Sequence, residues 1–411
     1  MKLLCSIRVL ALLILFPLFA TSQNDTLMLN QTINIGNITR EYNLFVPDTT
    51  VNSPIVILLH GYGNTSNNII GLDTNGVYDS TIVAPYRPWL SIAKKNNLIL
   101  FIPNGYATDS TMGWNDCRGD ATGNSEEDDV LFMRTTVDFL VNTYQADSTR
   151  VYANGTSNGG HMCIRLAQEA PEKIAAFASI VASNAVNSEC THSTMPVSAL
   201  FMNGTSDPLC PYQGGQMNGN RGEVFPADTT VSYWVMRNGT STTPVTTNLP
   251  NTFTADGCTV TKYEYKNGLN NTCVVFYKIT SGGHADPSAV QRYPFPLVPM
   301  ALGNQNGDIE MAFEAWDFFK GKFKVPMNTK EAPLLSKQPV VFPNPASSFF
   351  SIKNMEGVNA VFLLNSFGQR VYEFGSELDS LDVSAFPPGI YYVMIDSEKG
   401  RKIEKLVISS R

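Results

Sequence analysis

Five residues constrain this chain more than any others: Gly155-Thr156-Ser157-Asn158-Gly159, entered by Arg150-Val151-Tyr152-Ala153 and left by Gly160-His161-Met162-Cys163-Ile164-Arg165-Leu166. At ordinary Gly and Ser frequencies G-x-S-x-G arises by chance, so the pattern alone says little. Set between a strand and a helix it requires a sharp turn, where small flanking residues let a strained serine present its hydroxyl above a sheet edge. Ser157 meets that requirement and is the candidate nucleophile. The alternative is a Gly-rich turn with an incidental serine.

The surrounding pattern supplies a sheet for such a turn. Ile55 to Leu59 and Leu98 to Ile102 are continuous apolar runs that stop at His60-Gly61-Tyr62-Gly63 and Pro103-Asn104-Gly105, as buried parallel strands do. Phe177 to Val181, Val197 to Met202 and Val274 to Ile279 read as further strands. Helical periods fall at Trp89 to Lys95, Val130 to Tyr144, Thr230 to Arg237 and Glu310 to Phe319. This alternation predicts an α/β domain over 23–324. Residues 325–337, VPMNTKEAPLLSK, read as a linker, and 338–411 as a small all-β sandwich with short strands between Asn-Pro, Phe-Gly and Pro-Pro-Gly turns.

The 411 residues carry a net charge of −7 and no concentrated basic block, which disfavours nucleic acid as a partner. With 43% hydrophobic and 16% charged residues the chain has the material for packed cores. Lys2 and Arg8 precede an apolar run from Val9 to Ala20, which predicts a signal peptide over 1–22. That run is shorter than the roughly 20 residues that span a bilayer, and no later run qualifies, so the mature chain is expected to lack a transmembrane segment. Cys5 lies before the run, whereas a lipoprotein needs its cysteine at the cleavage point.

Export makes disulfides available, and Cys117, Cys163, Cys190, Cys210, Cys258 and Cys273 remain after the signal. They form no CxxC pair, so no metal site is expected. Cys258 and Cys273 flank a polar turn and are the favoured bridge, with Cys190–Cys210 behind it. Cys163, inside a helical pattern, also reads as a buried thiol.

A serine nucleophile needs a base, and the chain has four histidines: His60, His161, His192 and His284. In the strand–turn–helix arrangement the partners follow in the order serine, acid, histidine. Asp207 lies just beyond the strand Val197 to Met202 and reads as the acid, the alternative being a turn-forming Asp before Pro208. Only His284, after Ser281-Gly282-Gly283, then comes late enough to be the base. An oxyanion on a tetrahedral intermediate needs fixed N–H donors. Asn158 at the helix start and Tyr62 in the Gly-rich loop are the candidates, with His60 bracing that loop.

These residues, together with Gly113-Trp114-Asn115, Asp128-Asp129-Val130, Asn203-Gly204-Thr205-Ser206-Asp207 and Gly282-Gly283-His284, resemble the secreted feruloyl esterase and polyhydroxybutyrate depolymerase group of α/β-hydrolases over roughly Arg40 to Phe323. The resemblance implies an α/β-hydrolase fold, ester hydrolysis by Ser157, Asp207 and His284 without a cofactor, and substrate contacts from Trp114 and Asn115. Asp128 and Asp129 read equally well as acidic residues at a helix start. Where many members follow the histidine with Thr-Trp-Pro-Gly, this chain has Ala285-Asp286-Pro287-Ser288. Phe342-Pro343-Asn344-Pro345, Asn365-Ser366-Phe367-Gly368-Gln369, Leu381-Asp382-Val383-Ser384 and Pro388-Gly389-Ile390-Tyr391 resemble the C-terminal sorting domain of the type IX secretion system. That implies export across an outer membrane by the type IX machinery. A polymer-binding β-module is the alternative.

The expectation is therefore a secreted or cell-surface serine esterase acting on feruloyl or acetyl groups of plant polysaccharides, or on small esters. The rivals are a polyhydroxyalkanoate depolymerase, a serine peptidase and a catalytically dead surface binding protein.

Overall fold

The computed structural model describes residues 25–108, 111–191, 193–294, 297–324, 340–353, 358–365, 369–375, 380–397 and 400–409. The expected signal peptide (1–22), the linker (325–337) and His192 lie outside the described residues.

In chain order the elements are β1 (Thr26–Ile35), β2 (Ile38–Val46), β3 (Ile55–Leu59), α1 (Pro88–Asn96), β4 (Ile99–Pro103), β5 (Tyr106–Thr108), β6 (Thr111–Gly113), α2 (Asp129–Tyr144), β7 (Val151–Thr156), α3 (Asn158–Glu169), β8 (Ala176–Ile180) and β9 (Ser198–Gly204). They continue with β10 (Gly215–Gln216), β11 (Glu223–Val224), α4 (Ala227–Asn238), β12 (Val245–Asn248), β13 (Thr259–Tyr265), β14 (Val274–Thr280), α5 (Leu297–Leu302) and α6 (Met311–Phe319). One ten-stranded sheet has the order β1-β2-β4-β3-β7-β8-β9-β14-β13-β12. Its middle, from β4 to β14, is parallel, and both edges are antiparallel.

The apolar runs are strands because both of their faces find a core. In β3, Ile55, Ile57 and Leu59 enter one apolar layer while Val56 and Leu58 enter the other. Period-2 alternation into two layers needs helices on each side of the sheet. Helices α2, α3 and α4 cover the first layer with Phe132, Met162 and Trp234. Helices α1 and α6 cover the second with Trp89, Ala312 and Phe319. This is the α/β-hydrolase architecture expected from the sequence. The β12–β13 edge was not read there, because its mostly half-exposed strands carry no continuous apolar run.

The C-terminal residues form β15 (Val340–Phe342), β16 (Phe349–Lys353), β17 (Val358–Leu364), β18 (Arg370–Phe374), β19 (Leu381–Asp382), β20 (Gly389–Ser397) and β21 (Gly400–Ile408). They make sheets β15-β16-β19 and β18-β17-β20-β21 around Phe350, Ile352, Val361, Leu363, Val393 and Leu406. Two small antiparallel sheets sharing one core form a sandwich.

The cysteines pair differently from the expectation. Cys117 and Cys190 form a disulfide, while Cys163, Cys210, Cys258 and Cys273 are free thiols. Cys258 precedes β13 and Cys273 precedes β14, and the antiparallel register pairs Thr259 with Thr280 and Tyr265 with Val274. The two cysteines therefore stand at opposite ends of the hairpin, beyond the reach of an S–S bond. Cys190 is used by Cys117 and leaves Cys210 unpaired. The bridge closes a separation of 73 residues, for which restricting the unfolded chain is worth about 4 kcal/mol. Replacing Cys117 and Cys190 together by Ser should lower the urea midpoint correspondingly and make it insensitive to reductant. An unchanged midpoint would show that the bridge contributes no stability.

Candidate active site

The candidate residues collect at the C-terminal ends of the parallel strands, where open α/β sheets bind their ligands. Ser157 follows β7, Asp207 follows β9, His284 follows β14 and Tyr62 follows β3. A cavity of about 310 Å³ opens there, lined among others by Gly61, Tyr62, Ser157, Asn158 and His284.

Ser157 has φ 56° and ψ −119°, a conformation that a residue with a side chain adopts only under constraint. The constraint is close packing of backbone on backbone. A Cβ on Gly155 would collide with the Gly159 carbonyl, and one on Gly159 with the Leu59 carbonyl, so neither position tolerates a larger residue. The Asn158 side chain then fastens the turn to the loop after β6. Its Oδ1 accepts the Trp114 backbone N–H at 2.7 Å, and its Nδ2 donates to Asp116 Oδ2 at 2.6 Å.

His284 and Asp207 are joined by a 2.8 Å contact between Nδ1 and Oδ2. The other Asp207 oxygen accepts the backbone N–H groups of Leu209 and Cys210, both at 2.8 Å, so this carboxylate is fully engaged and fixed. The two loops lie against each other because Gly204 has no side chain; a Cβ there would strike the Gly282 carbonyl. His284 Nε2 and the Ser157 hydroxyl make no hydrogen bond to protein among the described residues, and both residues line the cavity. A nucleophile–base contact commonly tightens only when substrate is engaged. The backbone N–H groups of Tyr62 and Asn158 likewise donate to no protein acceptor among the described residues.

Two other histidines are held neutral. His60 is fully buried, its Nδ1 donates to the Gly61 carbonyl at 2.8 Å and its Nε2 accepts the Gly105 N–H at 2.9 Å. Burial pushes its pKa down to about 4. The same cause pushes His161 down to about 3.

Trp114 and Asn115 are corrected by the structure. Trp114 has no exposed surface and does not line the cavity. The loop after β6 folds beneath His60, so the indole turns inward, where its N–H finds the His60 carbonyl at 2.8 Å. Asn115 is likewise committed to scaffold. Its Nδ2 donates to the Glu127 carbonyl and its Oδ1 accepts from Arg165. The acidic pair divides between roles. Asp128 caps α2 by accepting the Leu131 N–H, while Asp129 is buried on Arg40 at 2.7 Å.

The cavity residues not read from the sequence include Arg118, Arg221, Asp286 and Tyr86. Arg118 is paired with Asp116, both fully buried. Burial alone would push the Asp116 carboxyl up, but the Arg118 guanidinium outweighs it and leaves the pKa at about 2. Asp286 accepts from the Thr156 hydroxyl, which also bonds Tyr86 Oη at 2.7 Å. The position of Asp286, two residues after His284, was the available signal, but nothing local says that it faces Thr156.

Residues 340–409 match the family described as secretion system C-terminal sorting domain, so the β-sandwich carries a sorting domain of that kind. Over 181 residues the chain is 26% identical to a protein of Aspergillus niger named “Probable feruloyl esterase C”, covering 43% of this chain and 58% of that protein. Over 197 residues it is 28% identical to “Feruloyl esterase D” of Neurospora crassa, covering 46% and 62% respectively. The chain thus spans less than two thirds of the length of these curated relatives. Among solved structures, an acetyl xylan esterase from Aspergillus awamori aligns with a TM-score of 0.42 at 14% identity, over 71% of this chain and 98% of that one.

Burial raises the Asp286 pKa to about 6, against the opposing effects of the Thr156 hydrogen bond and His284. A carboxyl raised in this way favours the folded state below its ordinary pKa near 3.8, and that stability is lost as pH rises through 6. Asp286→Asn keeps an acceptor for Thr156 and has no charge to bury. Its melting temperature relative to wild type should therefore be higher at pH 8 than at pH 4, by the equivalent of on the order of 3 kcal/mol. Parallel melting curves across that range would remove the buried ionisation.

Proposed function

We propose that the α/β domain is a serine carboxylic ester hydrolase that works through an acyl-enzyme, with Ser157 as nucleophile, His284 as base and Asp207 as the acid that orients it. The observation that carries this reading is the strained Ser157 turn facing one cavity with His284, which Asp207 holds from behind. In this mechanism His284 Nε2 takes the Ser157 proton as Oγ attacks the ester carbonyl. The imidazolium is stabilised by Asp207 through Nδ1–H and then protonates the leaving alcohol; water repeats the sequence to release the acid. The Tyr62 and Asn158 N–H groups receive the oxyanion. Neutral, fully bonded His60 and buried His161 make poor bases, which supports His284.

The relatives named as feruloyl esterases favour an acylated plant polysaccharide, feruloyl or acetyl, as the natural substrate. The sorting domain supports secretion or surface display through the type IX machinery. The burial of Trp114 removes the indole as a platform for an aromatic acyl group, so any feruloyl preference rests on other residues.

Ser157→Ala should lower kcat on a model ester by several orders of magnitude with an unchanged melting temperature, and His284→Ala should do so comparably. Methyl ferulate, acetylated xylan, hydroxybutyrate oligomers and a peptide, assayed in parallel, distinguish the esterase from the depolymerase and peptidase. Retained turnover in either variant would remove that residue from the mechanism.

A further inference from the structure

Two guanidinium groups meet at one wall of the Ser157 cavity, and only one of them has a carboxylate. Arg118 is held by Asp116, with Nε donating to Oδ1 at 3.0 Å and Nη2 to Oδ2 at 2.5 Å, and its Nη1 donates to the Arg221 carbonyl at 2.6 Å. Arg221 lies over the Tyr62 ring, 3.6 Å from its centroid. It donates to the Thr122 carbonyl and, at 2.9 Å, to Asn124 Oδ1. Among the described residues no carboxylate stands within ion-pair distance of Arg221. The groups that favour its charge are the Tyr62 hydroxyl, with which it hydrogen-bonds, and then Asp116, already committed to Arg118. Burial, and then repulsion from Arg118, push the Arg221 pKa down, as expected of a cation set beside another cation.

The wall is built rather than incidental. Tyr62 and Arg221 brace each other, so the guanidinium is held in place before any ligand arrives, and a guanidinium has five N–H donors in a fork suited to a carboxylate. Along the chain from Ser157 the two neighbouring residues lead to different surroundings. Asn158 leads to Asp116 and Arg118, and Thr156 leads to Asp286 and Tyr86. The cavity is thus cationic around Arg221 and carboxylic around Asp286.

We infer that Arg221 is a specificity-determining residue that receives a carboxylate borne by the substrate, so that the preferred ester carries a free acid on either its acyl or its alcohol part. The inference rests on the ester-hydrolase reading above. A charge-assisted contact of this kind, at a half-buried cation, is expected to change kcat/KM by about ten-fold.

The test uses the full chain and two matched pairs of esters. 4-Carboxyphenyl acetate against 4-carbamoylphenyl acetate places the charge on the alcohol, and monomethyl glutarate against methyl glutaramate places it on the acid. For each pair the ratio of kcat/KM values is measured in wild type and in Arg221→Gln, and comparing the two enzymes cancels intrinsic reactivity. The carboxylate-to-amide ratio should fall by about ten-fold in at least one pair, which also assigns the side. Arg221→Lys should retain part of it, and 0.5 M salt should shrink the wild-type ratio. Ratios equal in wild type and Arg221→Gln for both pairs, with turnover present, overturn the subsite and leave ester hydrolysis standing. Absence of wild-type turnover on all four esters overturns the hydrolase reading and the subsite with it.

Discussion

The backbone of Ser157 is held where a side-chain-bearing residue resists being held, and most of the structure around it serves that end. A conformation of this kind costs about 1–3 kcal/mol and persists only when its surroundings over-determine it. Here β7 lies between β3 and β8 and anchors the turn from one side. Helix α3 anchors it from the other, with Gly159 against the β3 carbonyls and the Asn158 side chain clamped on the Trp114 loop. The turn is rigid because the elements on both sides of it are buried.

Charge burial is the second constraint. Arg118–Asp116 and Arg40–Asp129 are ion pairs at almost no exposure, the first at the cavity wall and the second bonded to the loop after β6. Removing one partner of such a pair costs about 3–5 kcal/mol, because the survivor stays buried and uncompensated. Both pairs also hold backbone. Asp129 accepts the Asn115 N–H, and Asp116 accepts the Arg118 N–H and the Asn158 amide. The pairs tie the loop after β6 to the start of α2 and to the nucleophile turn, so the position of Asn158 depends on electrostatics as well as on packing.

What could be read in the sequence was local. The β3 and β4 runs, the strand–turn–helix around Ser157 and the helices flanking the sheet are written in residue periodicity, and they stand where expected. Chain order alone singled out His284, which does meet Asp207. What failed depended on residues far apart in the chain. The hairpin register that separates Cys258 from Cys273 lies outside any window that contains both. The inward turn of Trp114 depends on a carbonyl at His60, 54 residues earlier. Asp286 and Arg221 enter the cavity through partners at Thr156, Thr122 and Asn124, and a single charged residue in a loop carries no local mark of such a destination.

The disulfide lies where these constraints meet. Cys117 sits between Asp116 and Arg118, and its partner Cys190 lies in a segment that also bonds the loop through Glu189 N–H to the Cys117 carbonyl and Gly119 N–H to the Asn187 carbonyl. The bridge therefore pins the buried ion pair and, through Asp116, the Asn158 clamp. Disulfides persist in oxidising compartments, and the sorting domain at residues 340–409 points to the same destination for the chain. Of the free thiols, Cys163, Cys210 and Cys258 are buried, and burial pushes each of them up, away from the reactive thiolate. Among the described residues the chain thus makes one disulfide, and it stands next to the residues that position the nucleophile.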